Sequence, residues 1–140
     1  MSAGIEAQEI IDEFSFFDDW EDRYQHLIDL GRKLPNLDED YKIEDNRLRG
    51  CQSVVYFAAE YQAPHINFYA GSDAAIVQGL IAVMMRVYSG RTPEDILSTP
   101  PAFLGEIGLD EHLSPTRKNG LAAMVTAIMS EANRLSSLKN

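Results

Sequence analysis

The sequence predicts an α+β fold in which a small antiparallel β-sheet packs against helices. Apolar residues recur at helical spacing through residues 5–34 and again through 74–135, and two runs rich in β-branched and aromatic residues lie between them. Because helical segments flank one short β segment, a sheet covered by helices is the favoured architecture. The chain has 140 residues, a common size for one core, so we expect a single domain over residues 1–140.

Two helices are predicted in the first third of the chain. The apolar stripe of the first consists of Ile5, Ile10, Ile11, Phe14 and Phe17. Asp18 or Asp19 provides an N-cap for the second helix. The apolar face of that helix is formed by Trp20, Tyr24, Leu27 and Leu34. It ends before Pro35, because a residue that precedes proline is disfavoured in the helical region, and a polar connector follows over residues 36–49.

A β-hairpin is predicted in the middle of the chain. Residues 53–61 are rich in valine, tyrosine and phenylalanine, which favour strands. In residues 65–70, apolar side chains alternate with polar ones, as they do in a half-buried strand. The short polar and proline-containing segment 62–64 joins the two runs, so we expect them to pair antiparallel.

Helical periodicity returns after the hairpin. The Gly-Ser-Asp segment 71–73 is typical of a turn and cap before a helix over residues 74–89, and Gly90 is a natural stop for that helix. The helix is apolar almost all round, so it should be the most buried one. Gly79 in its middle costs about 1 kcal/mol relative to alanine, which predicts that another backbone approaches closely there.

The remaining segment predicts further helices. Thr92 caps a short helix with Pro93 at its first position, and the proline pair at 100–101 precedes another short helix that ends at Gly108. A long C-terminal helix starts at the Ser-Pro pair 114–115. Its apolar face consists of Leu121, Met124, Val125, Ile128 and Leu135.

Composition excludes several classes of protein. The net charge of −10 argues against a nucleic-acid binder, because phosphate backbones attract basic surfaces. No stretch approaches the roughly 18 consecutive apolar residues of a membrane span. The acidic N-terminal segment lacks the basic region of a secretory signal and the arginines of a transit peptide. A single free thiol suits a reducing compartment, so we expect a cytoplasmic protein.

Cys51 is the main candidate for chemistry. It is the only cysteine, so it cannot form an internal disulfide. It follows Gly50 and precedes the first predicted strand, which places it on a loop at the edge of the sheet, within reach of another protein. The alternative is a small buried hydrophobic residue, which is how many free cysteines behave.

Arg117 is the second candidate. It falls in the first turn of the predicted C-terminal helix, where a cation opposes the helix dipole. A local rule broken without evident gain indicates function, and an arginine near a cysteine would lower the pKa of the thiol and favour the thiolate. The alternative is an arginine that simply faces solvent. The chain has no P-loop, dinucleotide or metal motif, and its three histidines lie far apart in sequence, which favours structural or surface roles for them.

Four blocks of the sequence together resemble the SufE family of sulfur-acceptor proteins. In chain order they are W-E-D-R-Y (20–24) with L-G-R-K-L-P (30–35), R-G-C-Q-S-V-V-Y (49–56), G-S-D-A-A-I-V-Q-G-L-I-A-V (71–83) and L-S-P-T-R-K-N-G-L (113–121). They cover roughly residues 15–135, and their collinear order makes the resemblance specific. The resemblance implies the α+β fold that this family shares with IscU-type proteins.

The resemblance implies a function and a set of site residues. SufE-type proteins bind a cysteine desulfurase of the SufS or CsdA type, whose PLP cofactor belongs to that partner. Cys51 aligns with the thiolate that accepts persulfide sulfur and relays it toward iron–sulfur scaffold proteins. Arg117 supports it, Asp73 matches an acidic residue near the cysteine loop (or caps a helix), and Gln52 could form hydrogen bonds around the loop. In this family the loop is tucked against an apolar pocket in the free protein.

Such a protein is a persulfide carrier and desulfurase activator rather than a stand-alone enzyme, and it needs no cofactor of its own. Two alternatives stay open. An IscU-type scaffold would hold a cluster, but clusters are usually held by several cysteines and this chain has one. A non-catalytic adaptor would bind the desulfurase while Cys51 is incidental. A homodimer is also an open alternative.

Overall fold

The computed structural model describes residues 2–49 and 53–138 and confirms the α+β fold. Its elements in chain order are α1 (Ala3–Ser15), α2 (Trp20–Lys33), β1 (Val55–Gln62), β2 (His65–Ser72), α3 (Ala75–Tyr88), α4 (Pro93–Leu97), α5 (Phe103–Glu106), α6 (Leu109–His112) and α7 (Pro115–Leu138). Two short 3-10 turns, Glu39–Tyr41 and Glu44–Asn46, lie in the polar connector. None of the helices within the described ranges is long and apolar enough to cross a membrane.

The first helix buries a different stripe from the predicted one. Its buried residues are Ala3, Ala7, Ile10 and Phe14. Ile10 and Phe14 were predicted, but Ile5 is 54% exposed. With the two alanines, the buried residues are spaced by four, three and four positions, which keeps them on one helix face. The prediction considered only large apolar residues and therefore did not include the alanines.

The two central helices confirm two predictions. The Asp19 side chain caps α2 by accepting a hydrogen bond of 2.9 Å from the Asp22 backbone N–H. Gly79 of α3 lies against α2, where any Cβ atom would overlap the Leu27 carbonyl group. Likewise, a Cβ atom on Gly31 would lie 2.7 Å from the Gly79 nitrogen. The helices therefore cross with their backbones in contact, as Gly79 predicted.

The predicted hairpin is confirmed. β1 and β2 pair antiparallel from Val55↔Ser72 to Gln62↔His65, so residues 63–64 form the turn. One face of this hairpin carries Val55, Ile66, Phe68 and Ala70, which are all buried. That face contributes to the same apolar cluster as α3. β2 runs to Ser72, two residues beyond the predicted end.

The start of α3 differs from the prediction. Asp73 does not cap the helix: the N-cap is Ala74, which has no side-chain cap. Because β2 continues to Ser72, the turn is shorter than expected, and the Ser72 hydroxyl accepts a 3.3 Å hydrogen bond from the Ala74 N–H. Gln78 closes the turn by accepting a 2.8 Å hydrogen bond from the Ser72 N–H. The predicted stop is confirmed, since α3 ends at Tyr88 and Gly90 has a φ of +76°.

The C-terminal half contains one helix that was not predicted. α5 ends before Gly108, whose φ of +87° redirects the chain into the four-residue α6. The Thr92 cap on α4 is confirmed by a 3.1 Å hydrogen bond from the Asp95 N–H. The buried face of α7 consists of Leu121, Met124, Ile128, Ala132 and Leu135. Val125, which was also predicted on this face, is half-buried and packs against the same core.

Candidate functional site

A small cavity lies where the start of β1, the first half of α3 and the first three turns of α7 meet. It is lined by Ser53, Val55, Val77, Leu80, Thr116, Arg117, Gly120, Leu121 and Met124. Its volume is about 20 Å³, room for about one water molecule. Its apolar floor is almost fully buried, whereas Thr116 and Arg117 are exposed and Ser53 is half-exposed. The cavity is thus apolar inside and polar at its opening.

Helical spacing brings the lining residues together. Val77 and Leu80 lie three positions apart on α3, and Leu121 and Met124 do the same on α7, so each pair shares one helix face. Arg117 precedes Leu121 by four residues and therefore lies on the same face, one turn nearer the helix start. The cation is thereby placed at the opening of an apolar cavity.

Arg117 occupies the first turn of α7, as predicted. Its backbone N–H donates to the Ser114 hydroxyl at 3.3 Å, which caps the helix. Among the side chains that the structure describes, its guanidinium group has no hydrogen-bond or ion-pair partner. The cation opposes the helix dipole without gaining a carboxylate from those residues, so it is available to an anion at the cavity opening.

Cys51 and Gln52 lie outside the described residues, so their predicted roles stay predictions. The described chain resumes at Ser53, which lines the cavity together with Arg117. The two regions that the sequence singled out, the cysteine block and the start of the C-terminal helix, therefore meet at this cavity through Ser53 and Arg117.

Asp73 lies in a different place. It is exposed and lines a separate polar groove with Arg32, Asn36 and Gln78. Its charge acts on Lys42: a hydrogen bond to Glu39 and, to a smaller extent, the carboxylate of Asp73 hold the pKa of the Lys42 amine above its usual value. Asp73 and Arg117 thus line different depressions.

The histidines occupy packing or surface positions. His26 lies 3.2 Å from a Glu13 carboxylate oxygen and contacts the rings of Phe14 and Phe17. The ring of His112 stacks on another aromatic ring, and His65 is exposed at the hairpin turn. Across the part of the chain that the structure describes, no three histidine, cysteine or acidic residues are grouped in a way that could hold a metal ion.

Sequence reasoning missed most of the cavity lining. Val77, Leu80 and Met124 are apolar helix residues that have the same pattern as the rest of the core, so nothing in the sequence separated them from it. Thr116 was visible, since it stands in the 113–121 block beside Arg117. It is an exposed residue of the cavity lining.

Comparison with known proteins identifies the family of the chain. Residues 8–132 match the family model for SufE, described as an Fe-S metabolism associated domain. An uncharacterized SufE-like protein of Rhizobium meliloti (strain 1021) is 40% identical over 129 residues, which cover 89% of this chain and 92% of the relative. An uncharacterized SufE-like protein of Rhizobium etli is 41% identical over 129 residues, covering 89% and 87%.

The fold also has a solved counterpart. The solution structure of a hypothetical protein from Thermus thermophilus matches with a TM-score of 0.77 at 22% sequence identity, covering 94% of this chain and 96% of that one. That likeness concerns the fold alone. The family match spans most of the chain and includes the whole cavity lining, and the chain therefore belongs to the SufE family.

Proposed function

We propose that this protein accepts sulfur from a PLP-dependent cysteine desulfurase and relays it to iron–sulfur cluster assembly, with Cys51 as the acceptor. One observation carries the proposal. Arg117, a cation without a carboxylate partner among the described residues, lines an apolar cavity together with Ser53, two positions after Cys51. Membership of the SufE family, whose domain is associated with Fe-S metabolism, supports the same reading.

The transfer step is a displacement at sulfur. The Cys51 thiolate attacks the outer sulfur of the desulfurase persulfide, a new S–S bond forms on Cys51, and the S–S bond of the donor breaks. Its electron pair leaves on the desulfurase cysteine as a thiolate, and the proton stays on the transferred sulfur. No external oxidant or reductant is needed, so one cysteine is sufficient.

Arg117 supplies the electrostatic part of this proposal. Cys51 comes two positions before Ser53 in the sequence, and Ser53 lines the same cavity as Arg117. A nearby cation lowers a thiol pKa and increases the fraction of reactive thiolate. The same charge would stabilise the persulfide anion that Cys51 carries once the new persulfide has released its proton to solvent.

The cavity supplies protection. Its floor is lined by apolar side chains, and its volume of about 20 Å³ suits a group the size of a single atom. An outer sulfur directed toward such a floor would be shielded from small reductants that could release it as sulfide. We propose that the protein brings no cofactor of its own, and that PLP acts only in the desulfurase.

The direct test is intact-protein mass spectrometry after incubation with desulfurase and L-cysteine. The wild-type protein should gain the mass of one or more sulfur atoms, and Cys51→Ser should gain none. Cys51→Ser should still bind the desulfurase but no longer stimulate it. A Cys51→Ser variant that stimulates as well as the wild type would instead establish the adaptor alternative.

The scaffold alternative has a separate test. With one cysteine in the chain, a monomer lacks the several thiolates that usually hold an iron–sulfur cluster. Anaerobic incubation with iron and sulfide should therefore leave the protein without a stable visible cluster spectrum. A stable cluster would overturn the carrier proposal.

A further inference from the structure

The part of α7 that carries Arg117 has no buried side chain of its own. Residues 115–119 are all exposed, and the nearest buried side chains are Leu113 before the helix and Leu121 within it. Burial of apolar side chains therefore cannot fix these first residues directly. The position of Arg117 depends on what anchors the chain on either side.

Downstream, the buried Leu121 lines the cavity; upstream, His112, which precedes the buried Leu113, is contacted by α2. The ring of His112 stacks on Trp20 with a centroid distance of 4.3 Å and an interplanar angle of 17°. The Tyr24 hydroxyl donates to the His112 carbonyl oxygen at 3.2 Å. One residue thus receives two contacts from α2, through its ring and through its backbone. We call Trp20, Tyr24 and His112 the clamp.

A second contact from α2 reinforces the clamp. The guanidinium group of Arg23 donates from Nη1 to the Ile107 carbonyl at 3.1 Å and from Nε to the Phe17 carbonyl at 2.9 Å. Gly108 packs so closely against Trp20 that an added Cβ atom would lie 3.3 Å from the indole ring. Ile107, Gly108 and His112 are therefore all held against the first turns of α2.

The clamp is connected to Arg117 through a short series of contacts. His112 is two residues before Ser114, whose carbonyl accepts from the Lys118 N–H at 2.9 Å and whose hydroxyl accepts from the Arg117 N–H. Ser114 thus begins the helix, and its position follows from that of His112. Moving His112 would shift the first turn of α7 with it.

The indole ring of Trp20 carries a cost that a purely apolar side chain would avoid. Its Nε1 atom is buried and has no hydrogen-bond partner among the described residues, and a buried unpaired donor is unfavourable. A phenylalanine would leave no donor unpaired. The additional property of indole at this place is a broad flat surface under the His112 ring.

We infer that Trp20 and Tyr24 are positioning residues for Arg117. Through His112 they hold the start of α7 at the place where the guanidinium group reaches the cavity opening. The inference rests on the proposed function, in which Arg117 acts on the Cys51 thiolate. It assigns to the Trp20–Tyr24 block a role in the chemistry of a site that neither residue touches.

The kinetic test uses Tyr24→Phe, which removes only the hydroxyl, and His112→Ala, which removes the exposed ring from the surface. Each should lower the rate constant of sulfur transfer at saturating persulfidated desulfurase, by up to about tenfold, since a displacement of about 1 Å can cost ~10²-fold. The concentration for half-saturation should stay within a factor of about two. The matched control is Tyr61→Phe in the hairpin, which should transfer sulfur like the wild type.

A double-mutant cycle separates positioning from general stability. In an Arg117→Ala background, Tyr24→Phe and His112→Ala should cause no further loss, because the group they position is gone. The inference would be overturned if these substitutions lowered the transfer rate constant equally in both backgrounds. It would also be overturned if they changed only the desulfurase concentration for half-saturation.

Hydrogen exchange tests the same inference without sulfur chemistry. In Tyr24→Phe and His112→Ala, the amides of residues 118–121 should exchange faster, while those of α3 keep their wild-type rates. Unchanged exchange at residues 118–121 would overturn the inference. If the wild-type protein takes up no sulfur, the proposed function fails, and this measurement still decides whether the clamp fixes the start of α7.

Discussion

Arg86 and Arg117 occupy opposite kinds of position in this molecule. Arg86 lies in the last turn of α3, where a cation complements the helix dipole. It bridges to α1, with Nε at 2.5 Å from a Glu6 oxygen and Nη2 bound to Glu13. Arg117 lies in the first turn of α7, opposes the dipole, and has no carboxylate partner among the described residues. Arg86 thus follows the helix-dipole preference, and Arg117 goes against it.

On the proposed function, the difference separates a charge that stabilises the fold, Arg86, from a charge that serves a site, Arg117. The carboxylates around Arg86 come from α1, and one of them also contacts His26 of α2, so a single half-buried cation connects three helices. A cation that is already paired with carboxylates in this way interacts only weakly with an anionic substrate. An uncompensated charge beside an apolar cavity costs stability, and that cost is expected where it assists a reaction.

The largest stability effect should come from Arg86→Ala. The substitution leaves two half-buried carboxylates of α1 without their cation, and we expect the free energy of unfolding to fall by about 2 kcal/mol. Breaking a fully buried ion pair costs roughly 3–5 kcal/mol, but solvent screens the pairs of Arg86. Urea denaturation measures it. Sulfur transfer at a temperature where the variant is folded should equal that of the wild type. A large loss of transfer there would contradict the division between the two arginines.

Arg117→Ala should show the reverse pattern. We expect the rate constant of sulfur transfer to fall by about tenfold, equivalent to about 1.4 kcal/mol, because the thiolate loses its cation. The free energy of unfolding should change by no more than about 0.5 kcal/mol, since the side chain is exposed. Single-turnover transfer and urea denaturation on the same samples measure both. If Arg117→Ala transferred sulfur at the wild-type rate, Arg117 would be an ordinary surface residue.

The sequence predicted most of the fold and only the polar part of the site. Gly79 was informative because a glycine in an apolar helix has few explanations, and the backbone contact with α2 confirmed it. α6 was missed because four residues are too few for a periodic pattern. Asp73 was wrongly expected as a cap because the end of β2 depends on pairing with β1 and not on the residues of the turn.

The cavity and the clamp depend on contacts between distant segments. Val77 and Met124 are ordinary core residues until α3 and α7 are placed side by side. Trp20 and His112 are 92 positions apart in the chain, and no local pattern relates them. Arg117 could be singled out in advance because the rule that it breaks concerns only its own helix.

The smallest predicted effect is a pH-dependent change in the free energy of unfolding that arises from Glu13. A hydrogen bond from Arg86 is the main cause that holds the pKa of Glu13 below its usual value, and His26 adds to it. A carboxyl group with a depressed pKa in the folded state stabilises the protein above its unfolded pKa of about 4.3, and this contribution is lost as the pH falls through the folded value. Glu13→Gln should therefore lower the free energy of unfolding at pH 7 by less than about 1 kcal/mol after solvent screening.

The same variant should approach the wild type as the pH falls through the depressed folded-state pKa of Glu13, because the wild-type carboxyl group is then neutral as well. Urea denaturation of both proteins at neutral and acidic pH measures the convergence. The matched variant is Glu9→Gln, an exposed residue of α1 for which no bridge to α3 is present among the described contacts, and it should track the wild type at every pH. If Glu13→Gln differed from the wild type by the same amount at both pH values, its effect would come from packing. The α1–α3 contact would then not depend on the charge of Glu13, and Arg86 would have to be regarded as paired with Glu6 alone.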